Sequence, residues 1–153
     1  MSRPKDEPIP SEERLFHALL DSEVAGDTIL HLSLKIGDLI PRCSVWREKY
    51  LKEPRDALKG KPGVVYSRLS YVRPRDLPPD EEVEVPNSDQ KKPNVRRSYR
   101  FIAVDDPTPS EDAHAEIRAA RLPDGAVKPV NSEVARNALR VALAMRFQVV
   151  PSP

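Results

Sequence analysis

The sequence predicts an α+β domain in which a small antiparallel sheet of three or four strands packs against about four helices, with proline-rich extended arms. Three observations support this prediction. The chain has 153 residues with 17 prolines and only five glycines, so stiff connectors divide it into short pieces. Two segments alternate apolar and polar residues as strands do, and four segments begin with residues that favour helix N-caps.

Residues 1–10 hold three prolines among charged side chains, which predicts an extended arm. Ser11 is a candidate N-cap, because Glu12 and Glu13 follow it and acidic side chains are favourable in the first turn of a helix. The first predicted helix therefore begins at Ser11 and runs to about residue 22.

The next two predicted elements are a strand and a helix. Residues 28–36 alternate leucine or isoleucine with polar residues, which favours a strand, although an apolar stripe at helical spacing over 29–39 is the alternative. Ser44 then caps a second predicted helix, which continues to about Glu53 and ends at Pro54.

A glycine-rich turn at 60–63 leads into a predicted strand over 64–73, and its predicted antiparallel neighbour covers 95–104. The connection between them, 74–93, is acidic and proline-rich, and loops of this length are usually functional or mobile. Two interpretations remain open for it. It docks as an extended ribbon on a partner's basic groove or sheet edge, or it is a solvated loop.

A third helix is predicted over 108–121. The last predicted helix begins near Asn131 or Ser132 and carries the clearest amphipathic stripe of the chain. A short edge strand is expected at 147–150. The predicted organisation is therefore an arm at 1–10, one α+β domain at 11–150 with the acidic loop at 74–93, and a tail at 151–153.

Charge is arranged in blocks although the formal net charge is only +1. Residues 42–75 contain ten basic and three acidic side chains, whereas residues 76–89 contain six acidic and no basic ones. Such blocks are typical of polyanion sites or of complementary patches in assemblies.

The basic residues on the predicted helix and strands form the candidate polyanion-binding set. Nucleic-acid binding needs cations for the phosphates and aromatic faces for stacking, and aromatic residues such as Trp46 and Tyr50 lie nearby in the sequence. The alternative interpretation is that the cations form a solvated strand face and the aromatic residues lie in the core. The candidate residues are Lys49, Lys52, Arg68, Arg96, Arg97 and Arg100.

No pattern in the sequence predicts catalysis. Cys43 with His17, His31 or His114 is a conceivable nucleophile and base, but a lone cysteine is usually a small buried side chain. The GxxG pattern at 60–63 precedes a predicted strand, where a nucleic-acid-clamping loop needs helices. The isolated histidines have no metal-ligand spacing, and the glycines form no phosphate-binding motif. The sequence therefore predicts no enzyme, cofactor or metal.

The leading hypothesis is a non-enzymatic assembly or scaffold protein that contacts copies of itself or other subunits. In this hypothesis its basic face is available to nucleic acid or to an anionic membrane surface. The alternative is a nucleic-acid-binding regulator of winged-helix type, with residues 44–53 as the inserted helix and the two strands as the wing. A single cysteine and the lack of a long apolar stretch predict a soluble intracellular protein, without a transmembrane segment, in the cytoplasm or nucleus.

Overall fold

The protein is mostly β-structure, built on one seven-stranded antiparallel sheet with the strand order β6-β7-β8-β4-β1-β5-β9. The computed structural model describes residues 3–30, 34, 41–58, 65–87 and 89–151. A second, two-stranded sheet pairs β2 with β3. The strands are β1 (Leu15–Leu19), β2 (Val24–Ala25), β3 (Thr28–Ile29), β4 (Arg42–Arg47), β5 (Arg68–Val72), β6 (Glu81–Val85), β7 (Val95–Asp105), β8 (His114–Arg121) and β9 (Gln148–Val149), and the α-helix is α1 (Glu133–Ala144).

The main core lies between α1 and one face of the large sheet. Leu139 and Leu143 are fully buried on α1, and they belong to the same cluster as Val45, Phe101 and Ile117 of the central strands. Side chains of a strand alternate between the two faces, so every second residue of β4, β7 and β8 faces the helix. Burial of this apolar surface is the main source of stability.

A smaller apolar cluster covers part of the opposite face. Phe16 of β1 and Leu69 of β5 pack there with Ala57, which comes from a short 3-10 segment at Pro54–Leu58. The rest of this face, on β4, β8, β7 and β6, carries mostly polar and charged side chains. The large sheet is therefore covered by a helix on one side and is partly open on the other.

The predicted α+β class, with a small sheet and about four helices, is wrong. Within the described residues α1 is the sole α-helix. The first predicted helix is the strand β1, in which four of five residues are buried. Both faces of β1 are covered, so its apolar residues follow no period of two and the sequence resembles a helix.

The second and third predicted helices are also wrong. Residues 42–47 form β4 and residues 114–121 form β8, both in the middle of the sheet. Ser44 is an exposed strand residue, so the polar residue that suggested an N-cap is one of the outward positions of an alternating strand. The inserted helix of the winged-helix hypothesis is accordingly β4.

The two strands expected to be neighbours exist but do not pair. The strands β5 and β7 are separated by β1, β4 and β8. The acidic segment 74–93 contains β6, which pairs with β7 in the register Val83 to Arg97. Because β6 lies at the edge of the sheet, this segment forms an ordered hairpin with β7 where a long unpaired excursion was expected.

The last helix and the terminal edge strand are confirmed. The Ser132 hydroxyl accepts a hydrogen bond from the backbone N–H of Ala135 at 3.2 Å, as an N-cap does, and β9 pairs only with β5. Of the expected strand at 28–36, only Thr28–Ile29 is seen as β3. Of residues 30–36, the structure describes Leu30 and Leu34. The others, including His31, lie outside the described residues, as does the predicted turn at 60–63.

The N-terminal segment 3–14 packs against its own domain. Arg3 makes a bidentate pair with Asp105 at 2.6 Å, and the backbone N–H of Glu7 donates to the same carboxylate at 3.0 Å. Arg47 lies beneath this segment and also binds Asp105, at 3.0 Å, and Glu13, at 2.8 Å. We call Arg3, Glu7, Glu13, Arg47 and Asp105 the buried ionic cluster.

The buried ionic cluster should make stability sensitive to acid. Burial alone raises the pKa of Asp105, but hydrogen bonds from Arg3 and Arg47 outweigh it and lower the pKa from 3.8 to about 2. Hydrogen bonds from Tyr50 and Lys49 lower the pKa of Glu7 from 4.5 to about 2. The folded state therefore binds fewer protons than the unfolded state, so its stability falls as the pH falls through this range.

We expect the melting temperature to fall most steeply between about pH 4.5 and pH 2, because the lowered pKa values of Glu7 and Asp105 act in this range. Thermal unfolding followed by circular dichroism across this range measures the drop. The variant Asp105→Asn should show a shallower dependence on pH than the parent. Equal slopes for the two proteins would show that Asp105 is not the group responsible.

No α-helix in the described part of the chain is long and apolar enough to cross a membrane.

Candidate anion-binding site

The six candidate polyanion-binding residues lie at separate places on the sheet. Lys49 and Lys52 follow the end of β4, Arg68 lies on β5, and the other three lie on β7. Three strands separate β5 from β7, so Arg68 and the three arginines of β7 are roughly 19 Å apart at about 4.8 Å per strand. The structure therefore does not bring the six residues into one contiguous patch.

Acidic side chains of the same chain pair with two of these cations. Lys49 lies 3.0 Å from a Glu7 carboxylate oxygen, and Arg96 lies 3.0 Å from Glu82 across the β6–β7 pair. Arg100 donates to a backbone carbonyl at 3.4 Å. Acidic residues of the N-terminal segment and of β6 thus balance part of the basic charge within one molecule.

Arg97 has different surroundings from Arg96 and Arg100, because the alternation of β7 places it on the face that carries α1. It lines a cavity of about 200 Å³ together with Arg121 and Lys128. Arg121 is directly opposite Tyr99 in the β7–β8 register, so Arg97 is its diagonal neighbour on this face. Three cationic side chains from two strands and one loop therefore converge on one cavity.

A tight turn after β8 brings Lys128 back to this cavity. Gly125 has a φ of +74°, which a residue without a Cβ adopts at little cost, and the Arg121 N–H donates to the Ala126 carbonyl at 2.8 Å. Asp124 accepts from the Ala126 N–H at 3.0 Å and fixes the turn. The chain then passes along the cavity and enters α1.

The cavity has a positive charge, and none of the described residues that line it is acidic. Its remaining lining residues are apolar or neutral, and Arg97 and Arg121 form no ion pair within the described residues. Lys128 has an exposed partner, Asp124, at 3.5 Å. Burial raises the pKa of Tyr99, and the nearby charge of Arg97 acts against that rise. Three like charges around one space favour binding of an anion.

Sequence reasoning identified Arg97 but missed Arg121 and Lys128. Arg121 was placed at the end of a predicted helix, where nothing relates it to Arg97. A signal was present in residues 114–119, where polar residues alternate with alanine and isoleucine at the period of a strand. No sequence pattern indicates that Lys128 lies at this cavity, because the turn after β8 determines its position.

The cysteine and histidine considered as a nucleophile and base do lie close together, but they are buried. The Cys43 sulfur is 3.9 Å from Nδ1 of His17. Burial raises the pKa of the Cys43 thiol to about 12 and lowers that of His17. The thiol therefore stays protonated at neutral pH and is a poor nucleophile.

Comparison with protein-family models, with curated proteins and with solved structures gives no match.

Proposed function

We propose that this chain is an interaction protein that joins an assembly by binding an anionic group of a protein partner in the cavity formed by Arg97, Arg121 and Lys128. The observation that supports the proposal is the convergence of three cations with no acidic lining residue. A carboxylate or phosphate oxygen placed there would relieve their mutual repulsion and accept their hydrogen bonds. The assembly role predicted from the sequence thus acquires a defined contact site, and it needs no catalytic step.

The distribution of charge favours a protein partner over nucleic acid. Nucleic-acid affinity comes largely from neutralising several phosphates at once, which needs a continuous basic surface. Here Lys49 and Arg96 are paired with acidic side chains, and the candidate cations are dispersed over the sheet. A small cavity with three cations suits one acidic or phosphorylated side chain.

One feature favours the nucleic-acid alternative. A shallow depression beside the cavity shares Arg97 and Arg121 and adds Arg96, which extends the cationic surface past the edge of the cavity. Asp80 also lines this depression and reduces its charge. The binding experiment therefore also includes DNA, so that one of its outcomes would favour the regulator hypothesis.

The binding experiment compares Arg121→Ala with Arg100→Ala. Fluorescence anisotropy is measured with a labelled peptide that carries one phosphoserine, with its glutamate version, and with single-stranded DNA of the same length. We expect the peptides to bind and Arg121→Ala to weaken them at least about tenfold, since charge-assisted hydrogen bonds contribute about 1.5–3 kcal/mol. Arg100→Ala is the matched control, because Arg100 lies on β7 but on the opposite face.

Three results would contradict the proposal. Peptide binding that is unchanged in Arg121→Ala would show that the peptides do not bind in the cavity. Preferential binding of DNA with a steep dependence on salt would favour the regulator hypothesis. Binding to anionic lipid vesicles without peptide binding would favour a membrane surface. Light scattering on a sizing column, with absorbance at two wavelengths, determines self-association and bound nucleic acid independently.

A further inference from the structure

A serine, a histidine and an aspartate meet on the sheet face opposite α1, away from the cationic cavity. Ser44 lies on β4, His114 begins β8, and Asp106 follows β7 directly. The Ser44 Oγ is 3.2 Å from Nε2 of His114. Nδ1 of the same ring is 2.8 Å from the backbone carbonyl oxygen of Asp106 and 3.3 Å from its carboxylate.

The contact with Asp106 fixes the tautomer of His114. A carbonyl oxygen can only accept, so Nδ1 must carry the hydrogen and donate it. In the neutral ring Nε2 then has a free lone pair, and the Ser44 hydroxyl donates to it. This is the protonation pattern that a histidine needs to act as a general base toward a serine.

Strand pairing holds these groups in place while the serine stays accessible. Trp46 is opposite His114 in the β4–β8 register, and their rings meet edge to face at 6.3 Å between centroids. His114 is 19% exposed, whereas Ser44 is an exposed residue. The base is thus packed in one orientation, and the hydroxyl can be reached from solvent.

The side chains around Ser44 limit the chemistry of the site. Glu116 is directly opposite Ser44, and its carboxylate is held by Arg118 at 2.9 Å and lies 3.7 Å from Arg42. These two guanidinium groups compensate the charge of Glu116 beside the nucleophile. Arg42 is itself exposed on this face, so its remaining N–H groups are available to an oxyanion that develops there. The open face encloses no large substrate.

We infer that Ser44 and His114 form a nucleophile–base pair that reacts with small activated esters. His114 Nε2 takes the Ser44 proton as Oγ bonds to the ester carbonyl carbon, and the leaving alcohol takes that proton as its bond to carbon breaks. His114 then takes a proton from water as the water oxygen bonds to the acyl carbon. The bond from that carbon to Ser44 Oγ breaks, Oγ takes the proton back from His114, and a carboxylic acid is released. This activity goes beyond the proposed interaction function. It departs from the expectation of no enzyme because that expectation weighed only Cys43 as the nucleophile.

The first test is covalent labelling of the full chain with a fluorophosphonate, in which Oγ displaces fluoride from phosphorus, followed by peptide mapping. We expect the label on Ser44, and a loss of labelling rate of at least about 100-fold in His114→Gln, the usual contribution of a general base. Ser98→Ala is the matched control, because Ser98 lies on the same face, on β7, and contacts neither His17 nor His114, the two histidines that the structure describes. It should label as the parent does, whereas Ser44→Ala should not label.

Release of p-nitrophenol from p-nitrophenyl acetate by the same four proteins is the second measurement. We expect Ser44→Ala and His114→Gln to release p-nitrophenol no faster than buffer alone. Ser98→Ala should release it at the rate of the parent. Equal labelling of Ser44 in the parent and in His114→Gln would overturn the proposal. Labelling of the parent no faster than that of Ser44→Ala would also overturn it.

Discussion

Replacing Arg47 with alanine is expected to lower the free energy of unfolding by about 3–5 kcal/mol, the usual cost of removing one partner from a buried ion pair. The Arg47 side chain is fully buried and is shared by three carboxylates. Without it, Asp105 keeps Arg3, but Glu13 is left 8% exposed with its main cation removed. Urea denaturation followed by fluorescence measures the change.

Arg75→Ala is the control for this prediction. Arg75 pairs with Glu12 at 2.8 Å, but both side chains are half or more exposed, and surface pairs contribute about 0–1 kcal/mol. A loss in Arg47→Ala no greater than that in Arg75→Ala would mean that the cluster is not energetically important. The variant Arg47→Met distinguishes lost volume from lost charge, because it retains most of the apolar packing.

Removing residues 2–10 is expected to destabilise the isolated chain by at least about 3 kcal/mol, since each lost hydrogen bond to a charged group contributes about 1.5–3 kcal/mol. The deletion removes the bidentate Arg3 pair with Asp105 and the Glu7 contacts with Tyr50 and Arg47. It also uncovers part of the main core, because Ile9 packs against it. Differential scanning calorimetry at low protein concentration isolates this effect from any assembly.

Lys5→Ala is the matched control for the deletion. Lys5 lies in the same segment, but it is 67% exposed and 3.6 Å from Asp106, so its loss should change stability by less than about 1 kcal/mol. A stable truncated chain would show that the arm is dispensable for folding. Only that result would leave residues 1–10 free to act mainly in contacts with other subunits.

Two elements with one covered face, α1 and β7, were predictable from the sequence. The amphipathic stripe and the Ser132 cap of α1 gave its position because one side of the helix faces solvent. The alternation of β7 was similarly readable, with Tyr99 and Phe101 buried and Arg100 exposed. In both elements the local pattern and the tertiary environment agree.

The strands β1 and β4 were not predictable, for two different reasons. In β1, Leu15 and Leu19 face α1 while Phe16 faces the smaller cluster, so hydrophobicity shows no period of two. In β4 the buried position 47 is an arginine, whose acidic partners come from distant parts of the chain. No local pattern contains that information.

The candidate site was predictable only in part for a related reason. Arg97 was identified as a cation on a strand, but its neighbours Arg121 and Lys128 are close to it only because β8 pairs with β7. The same fold neutralises Lys49 and Arg96 with acidic residues from other blocks. The linear charge blocks therefore did not indicate whether oppositely charged residues pair within one molecule or between two.

The two outer strands of the sheet also bear on solubility at high concentration. An exposed edge strand can recruit the same strand of another copy, and repeated recruitment leads to fibrils. If two copies of β6 paired antiparallel about Val83, Glu82 of one would face Glu84 of the other, and like charges directly opposite are destabilising. At the other edge β9 is only two residues long, which offers little backbone for lateral growth. The acidic side chains of β6 and the short length of β9 thus both disfavour growth of the sheet by addition of a second copy.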